Sequence, residues 1–106
     1  MNKTYKIEGY EITKPIKCKT YQDAEKNCPK GFRLPKRWEL FKIFENMKNR
    51  KKLSNGEYMF FWSSIIENNY CKGLYLYRYL IVFSYNDILV NSFSYGQVIY
   101  VKENKK

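Results

Sequence analysis

The chain has 106 residues, of which 44% are hydrophobic and 19% aromatic, and a formal charge of +10. That length suits one domain, residues 1–106, which can bury a core without a disulfide or a metal, and the apolar content excludes a disordered chain. There is no apolar run for a membrane span and no signal-peptide core after Met1-Asn2-Lys3-Thr4, so no membrane association is expected and the expected setting is intracellular or virion-associated.

In chain order, Tyr5 to Ile12 partly alternates apolar with polar and predicts an opening strand, broken near Gly9 and ended by Pro15. Thr20 is a good N-cap, with Asp23 three residues on, for a first helix from Tyr21 to about Asn27. Cys28-Pro29-Lys30-Gly31 stops it. Pro35 suits the first turn of a second helix from about Lys36 to Lys48. Leu40, Phe41, Ile43, Phe44 and Met47 would share its apolar stripe. Trp38 falls outside that stripe, and either packs under another segment or stands exposed. Asn49-Arg50-Lys51-Lys52 reads as the solvated end of this helix, where cations suit the dipole.

Ser54-Asn55-Gly56 predicts a turn, Phe60-Phe61-Trp62 the start of an apolar stretch, and Asn68-Asn69-Tyr70 a loop. From Gly73 the chain reads as β. Leu74 to Ser84 is strand-rich, as two strands with a kink. Tyr85-Asn86-Asp87 is a hairpin turn, Ile88 to Phe93 a strand, Ser94-Tyr95-Gly96 a turn, and Gln97 to Lys102 the last strand. The expected class is therefore α+β: an N-terminal strand, two helices, then an antiparallel β-meander.

Charge and chemistry narrow the function. Residues 1–59 hold 15 Lys/Arg against 7 Asp/Glu, so the basic excess sits in the front half. The three cysteines, Cys18, Cys28 and Cys71, are an odd number, and without an export signal they are expected as thiols. Cys18 and Cys28 flank a helix of about seven residues, spanning ~10 Å, beyond the ~7 Å that a disulfide tolerates between Cα atoms. Their spacing matches no zinc pattern, and there is no His. No nucleophile elbow and no paired-carboxylate motif stands out, so no enzyme activity and no cofactor are expected.

Three segments together resemble a known family. Cys28-Pro29-Lys30-Gly31-Phe32-Arg33-Leu34-Pro35 with Glu39-Leu40 is similar to a C-x-x-G-[WF]-R-L-P-T-x-x-E-L signature. Phe61-Trp62-Ser63-Ser64 is similar to [YF]-W-S-S. Phe83-Ser84 through Val101-Lys102 is similar to the family's terminal meander. These mark the C-terminal domain of Legionella collagen-like proteins and related bacterial surface domains, a variant of the C-type lectin fold. The resemblance covers about residues 20–102. Read on their own, Phe32 and Leu34 would alternate inward, Arg33 would face away toward a carboxylate or backbone carbonyls, and Trp62 would anchor the core with Ser63 and Ser64 bonding the loop behind it. The late Cys that family members carry is replaced by Ile99-Tyr100-Val101. The oxygen clusters that hold calcium in C-type lectins are missing too. Glu67-Asn68-Asn69 is the nearest, and calcium takes about six to eight oxygens, so binding is expected to be calcium-independent. Formylglycine-generating oxidases share the R-L-P helix start, but their cysteine pair has no counterpart here.

The resemblance implies a non-catalytic binding module whose ligand is a protein. The expected contacts are Tyr75, Tyr77, Tyr79, Tyr85, Asn91 and Tyr95, with Tyr75 and Tyr77 on one side of a strand. The same fold displays hypervariable residues in variable proteins of diversity-generating retroelements, some of them viral. Residues 68–95 are rich in the Tyr, Ser, Asp, Asn and Ile typical of such regions, an enrichment that strand propensity explains almost as well. A virus- or mobile-element-encoded inhibitor of a host partner also fits the composition. The alternative is a basic nucleic-acid-binding protein, with phosphate contacts from Lys36, Arg37, Lys42, Lys48, Arg50, Lys51 and Lys52. The oligomeric state has no signal in the sequence.

Overall fold

The opening and closing segments of the chain lie side by side in one small sheet. The computed structural model describes residues 4–64, 66–82, 87–89 and 96–103. The predicted opening strand is a hairpin, β1 (Thr4–Ile7) and β2 (Tyr10–Thr13). Its break is a turn at Glu8 and Gly9, both at positive φ. Next come β3 (Ile16–Lys17) and α1 (Tyr21–Lys26). Thr20 caps α1 as expected, its hydroxyl accepting from the Asp23 N–H at 3.1 Å.

The predicted second helix is two helices, α2 (Arg37–Phe44) and α3 (Met47–Leu53). The break has a local cause. Asn46 is extended, and its side-chain oxygen accepts from the Lys48 N–H at 2.9 Å, so it starts a new helix. The last carbonyls of α2 are then taken up by side chains of α3. Asn49 donates to the Ile43 carbonyl at 2.9 Å, and Arg50 to the Phe44 carbonyl at 2.8 Å. The basic run therefore lies within α3 rather than at the end of a longer helix, and Met47 is exposed rather than part of the core stripe.

The remaining elements are β4 (Met59–Phe61), β5 (Ile66–Glu67), β6 (Tyr70–Lys72), β7 (Leu74–Tyr77), β8 (Leu80–Val82), β9 (Asp87–Leu89), β10 (Gly96–Val98) and β11 (Val101–Glu103). Asn68 and Asn69, both at positive φ, turn β5 into β6, so Tyr70 belongs to a strand and not to a loop. The kink predicted within Leu74–Ser84 is a tight turn at Arg78 and Tyr79. Asp87 is in β9 and Gly96 in β10, each within a strand rather than a turn. The predicted last strand is two strands in different sheets, divided at Ile99-Tyr100.

Among the described residues these form an α+β domain of three helices and three sheets, with strand orders β1-β2-β11, β3-β10-β4-β7-β8 and β5-β6-β9. The meander is not purely antiparallel, because β10 runs parallel to β4. The five-stranded sheet has a core on each side. Met59, Phe61, Leu74 and Leu76 pack with Leu40, Ile43 and Phe44 of α2 and Leu53 of α3. Phe60, Trp62, Val98 and Tyr100 pack with Tyr21 and Ala24 of α1. The alternation within Met59-Phe60-Phe61-Trp62 sends successive side chains to opposite cores.

Trp62 is fully buried, as expected. Its indole N–H donates to the Cys18 carbonyl at 3.0 Å, and its ring stands edge-on to Phe60 at 5.0 Å. Ser63 donates through its hydroxyl to the Lys72 carbonyl, and the Ser64 N–H to the Pro35 carbonyl at 2.8 Å. Both serines thus secure the segment behind Trp62.

Candidate binding face

The R-L-P segment builds an ion pair between a half-exposed Arg33 and a buried Glu39 that ties the start of α2 to the closing strand. Arg33 forms a two-way backbone bridge with Val101, at 2.9 and 2.8 Å. Its guanidinium reaches Glu39 with two bonds, at 2.7 and 2.8 Å, and also contacts Glu103. Glu39 is buried in the first turn of α2, where it accepts from the Lys36 N–H at 2.8 Å and the Tyr10 hydroxyl at 2.6 Å. Burial alone would raise the Glu39 carboxyl, but the bonds from Arg33, Tyr10 and Lys36 outweigh it and hold it at about 2. Burial and then the Glu39 contact push the Tyr10 phenol up to about 12. Arg33 is therefore committed to the fold, although the groove beside it, floored by Phe32 and Val101, is open.

The five-stranded sheet carries an aromatic row near its β8 edge. In the β4–β7–β8 register, Phe60 faces Tyr75 and Tyr75 faces Val82, while Tyr77 faces Leu80. Strand alternation puts these side chains on the face away from α2. The Tyr58 ring meets Tyr75 at 5.0 Å and Tyr77 at 5.7 Å. The second core covers Phe60 and part of Tyr75, then stops. Beyond it Tyr58, Tyr77 and Leu80 stand 49%, 43% and 57% exposed, an apolar patch at the sheet margin. Arg78 lies over the Tyr77 ring at 5.4 Å. Tyr79 packs on Gly56, where a Cβ would come within 3.1 Å of the phenol ring. The Arg78 N–H donates to the Gly56 carbonyl at 3.0 Å, which pins the turn whose two residues both sit at positive φ.

The structure thus brings Tyr75, Tyr77 and Tyr79 to one end of the sheet, in unequal roles. Tyr75 is half-buried against Phe60, and burial followed by Tyr58 raises its phenol to about 12. It supports the face more than it forms it. Tyr85, Asn91 and Tyr95 lie outside the described residues. Tyr58 and Leu80 were not singled out from the sequence, and neither was the cleft next to Tyr58, which has a volume of about 290 Å³ and includes Lys17, Lys19, Asn55 and Gln97 in its lining.

The basic residues are spread over α2 and α3 and have differing tasks. Arg50 clamps the end of α2. Arg37 lies over Phe41 at 5.7 Å, Lys42 over Tyr10 at 5.9 Å and Lys52 over Tyr5 at 4.9 Å. Lys36 precedes α2, and Lys48 and Lys51 are exposed on α3. Trp38 is 58% exposed, which settles its two readings in favour of solvent.

Glu67 reaches Lys72 at 3.9 Å, and among the described residues no group of three His, Cys, Asp or Glu side chains comes together as metal ligands. Cys18, Cys28 and Cys71 are thiols, none of them in a disulfide. The Cys18 thiol donates to the Thr20 carbonyl and the Cys28 thiol to the Phe32 carbonyl, both at 3.2 Å. Burial pushes both thiols up, which disfavours the reactive thiolate. Among the described residues no helix is long and apolar enough to cross a membrane. No family model, no curated protein and no solved structure matches this chain.

Proposed function

We propose that the chain is a non-catalytic binding module of the C-type-lectin-like kind, which captures a protein partner through its tyrosine-rich face without calcium. The carrying observation is the exposed row Tyr58, Tyr77 and Leu80, on the sheet face that the helices α2 and α3 leave free. Tyrosine gives large contact area for few frozen torsions and is enriched among interface hot spots. The lectin-like reading is supported by the residues that carried the resemblance. Arg33 and Glu39 tie the start of α2 to the closing strand, and Trp62 is a fully buried core anchor.

The test is capture of a partner by the parent and by two variants. Tyr58→Ser with Tyr77→Ser is expected to abolish capture, and Lys48→Ala with Lys51→Ala to leave it intact. The opposite pattern would sink the module reading. It would favour the nucleic-acid reading, which rests on phosphate contacts and weakens steeply with salt.

A further inference from the structure

The aromatic face does not end at Tyr58. That residue also lines the cleft of about 290 Å³ that runs toward the edge strand β3. A second cleft, of about 310 Å³, adjoins it and shares Lys17, Asn55, Met59 and Gln97. The pair forms one groove along the α3–β4 connection, from Tyr58 to Lys52. Its cations are Lys17 and Lys19 in the first part and Lys52 in the second. Among the described residues none of the three makes an ion pair. Among the described residues the groove has one carboxylate, Glu57, and the Asn55 amide donates to it at 3.3 Å. Gln97 and Asn55 add neutral hydrogen-bonding side chains.

We infer that this lysine groove, continuous with the Tyr58–Tyr77–Leu80 row, receives an extended acidic segment of the partner protein. This inference rests on the binding-face reading and names the partner's chemistry. Carboxylates of the segment lie against Lys17, Lys19 and Lys52, and its apolar side chains lie on the row. Net charge disfavours a second copy of this chain as the occupant, since each copy carries +10. The rings argue against a nucleic acid. Tyr58 meets Tyr75 at an interplanar angle of 77° and Tyr77 at 48°, so the rings use their faces on one another instead of offering parallel platforms for bases. Leu80 and Val82 continue the row with aliphatic surface, which suits a polypeptide.

The probe is a short fluorescein-labelled peptide alternating Glu with Leu, read by fluorescence anisotropy against the full chain. Its controls are the same peptide with Gln for Glu, and an oligothymidylate of matched charge. The Glu peptide is expected to bind, and the Gln peptide to bind at least about tenfold more weakly. Lys17→Glu with Lys19→Glu should cost about tenfold or more, whereas Lys48→Glu with Lys51→Glu, an equal charge change outside the groove, should cost far less. If the charge-reversed groove variant melts early, Lys17→Gln with Lys19→Gln replaces it. Absence of peptide binding, equal losses in the two lysine pairs, equal binding of the Gln peptide, or preference for the oligothymidylate would each overturn the inference. Tyr77→Ser with Leu80→Ser separates the two claims. If it weakens the peptide while the groove pair does not, the groove fails and the face stands. If only the groove pair matters, the face fails.

Discussion

The indole N–H of Trp62 donates to the carbonyl of Cys18 at 3.0 Å, and Gly96 is the residue that lets them meet. A Cβ on Gly96 would lie 2.3 Å from the indole nitrogen and 2.5 Å from the Cys18 oxygen. The Cys18 N–H in turn donates to the Gly96 carbonyl at 2.9 Å, and the Trp62 N–H to the Gln97 carbonyl at 3.1 Å. Strands β3, β10 and β4 therefore converge on this one contact. Trp62→Ala is expected to destabilise by about 3–5 kcal/mol. Gly96→Ala should cost about 1–3 kcal/mol through overpacking, because its Cβ would force the indole and the Cys18 carbonyl apart. Urea melts of both variants check this. A Trp62→Ala midpoint close to the parent's would show that the ring does not anchor the core.

The acid limb of stability should belong to Glu39. Its carboxyl titrates at about 2 in the folded chain, below its ordinary 4.5. A depressed carboxyl stabilises the fold above its ordinary range, and that contribution fades as pH falls from about 4.5 toward about 2. It amounts to on the order of 3 kcal/mol at neutral pH. Glu39→Gln should melt well below the parent at neutral pH, and the two melting curves should converge near pH 2. Parallel curves across that range would show that the Arg33–Glu39–Tyr10 cluster contributes no pH-dependent stability.

The helix break gives a local prediction. Asn46→Ala removes the α3 cap and is expected to cost about 1 kcal/mol. Arg50→Ala leaves the Phe44 carbonyl without its donor and should cost at least as much as the ~0.5–1.5 kcal/mol typical of one such bond. If α2 and α3 were one helix, Asn46→Ala would stabilise it, because alanine is the best helix former. Circular dichroism and thermal melts distinguish the two outcomes.

Where local chemistry decides the structure, the sequence was legible. Thr20 and Asp23 announce α1, Pro35 places the start of α2, and the alternation of Phe32 and Leu34 around Arg33 implies an outward guanidinium seeking a carboxylate or backbone carbonyls, of which the structure supplies Glu39 and Glu103. The errors have physical causes. Asn46 sits inside an apolar periodicity that runs on to Met47, so the stripe hid the cap. Met59 to Trp62 is apolar throughout because both sheet faces are covered, and a doubly buried strand shows no alternation. Arg78 and Tyr79 are not turn-forming residues. Their turn exists because Gly56 holds it from another segment, a tertiary contact that no local pattern reveals. Tyr58 escaped notice for the same reason: its role depends on which strand pairs with β4.

The two tyrosines expected to act together should separate in stability. Tyr75 and Tyr77 share a strand face, but only Tyr75 has the second core beneath it, its ring 4.8 Å from Phe60. Phe60 is itself confined by Gly73, where a Cβ would come within 2.2 Å of the ring. Removing Tyr75 therefore opens a void that Phe60 cannot easily fill, and Tyr75→Ala is expected to cost about 2–4 kcal/mol, somewhat below a full aromatic deletion because the ring is half-buried. Tyr77 rests on Tyr58 at the margin with Arg78 over its outer side, so Tyr77→Ser should stay within about 1 kcal/mol of the parent. Leu80→Ser, at the exposed position across from Tyr77, should behave likewise. Equal losses at Tyr75 and Tyr77 would mean that the core extends under the whole row, and the row would then be unavailable as a binding face. The predicted split instead leaves Tyr77 and Leu80 as apolar surface that the fold itself does not need.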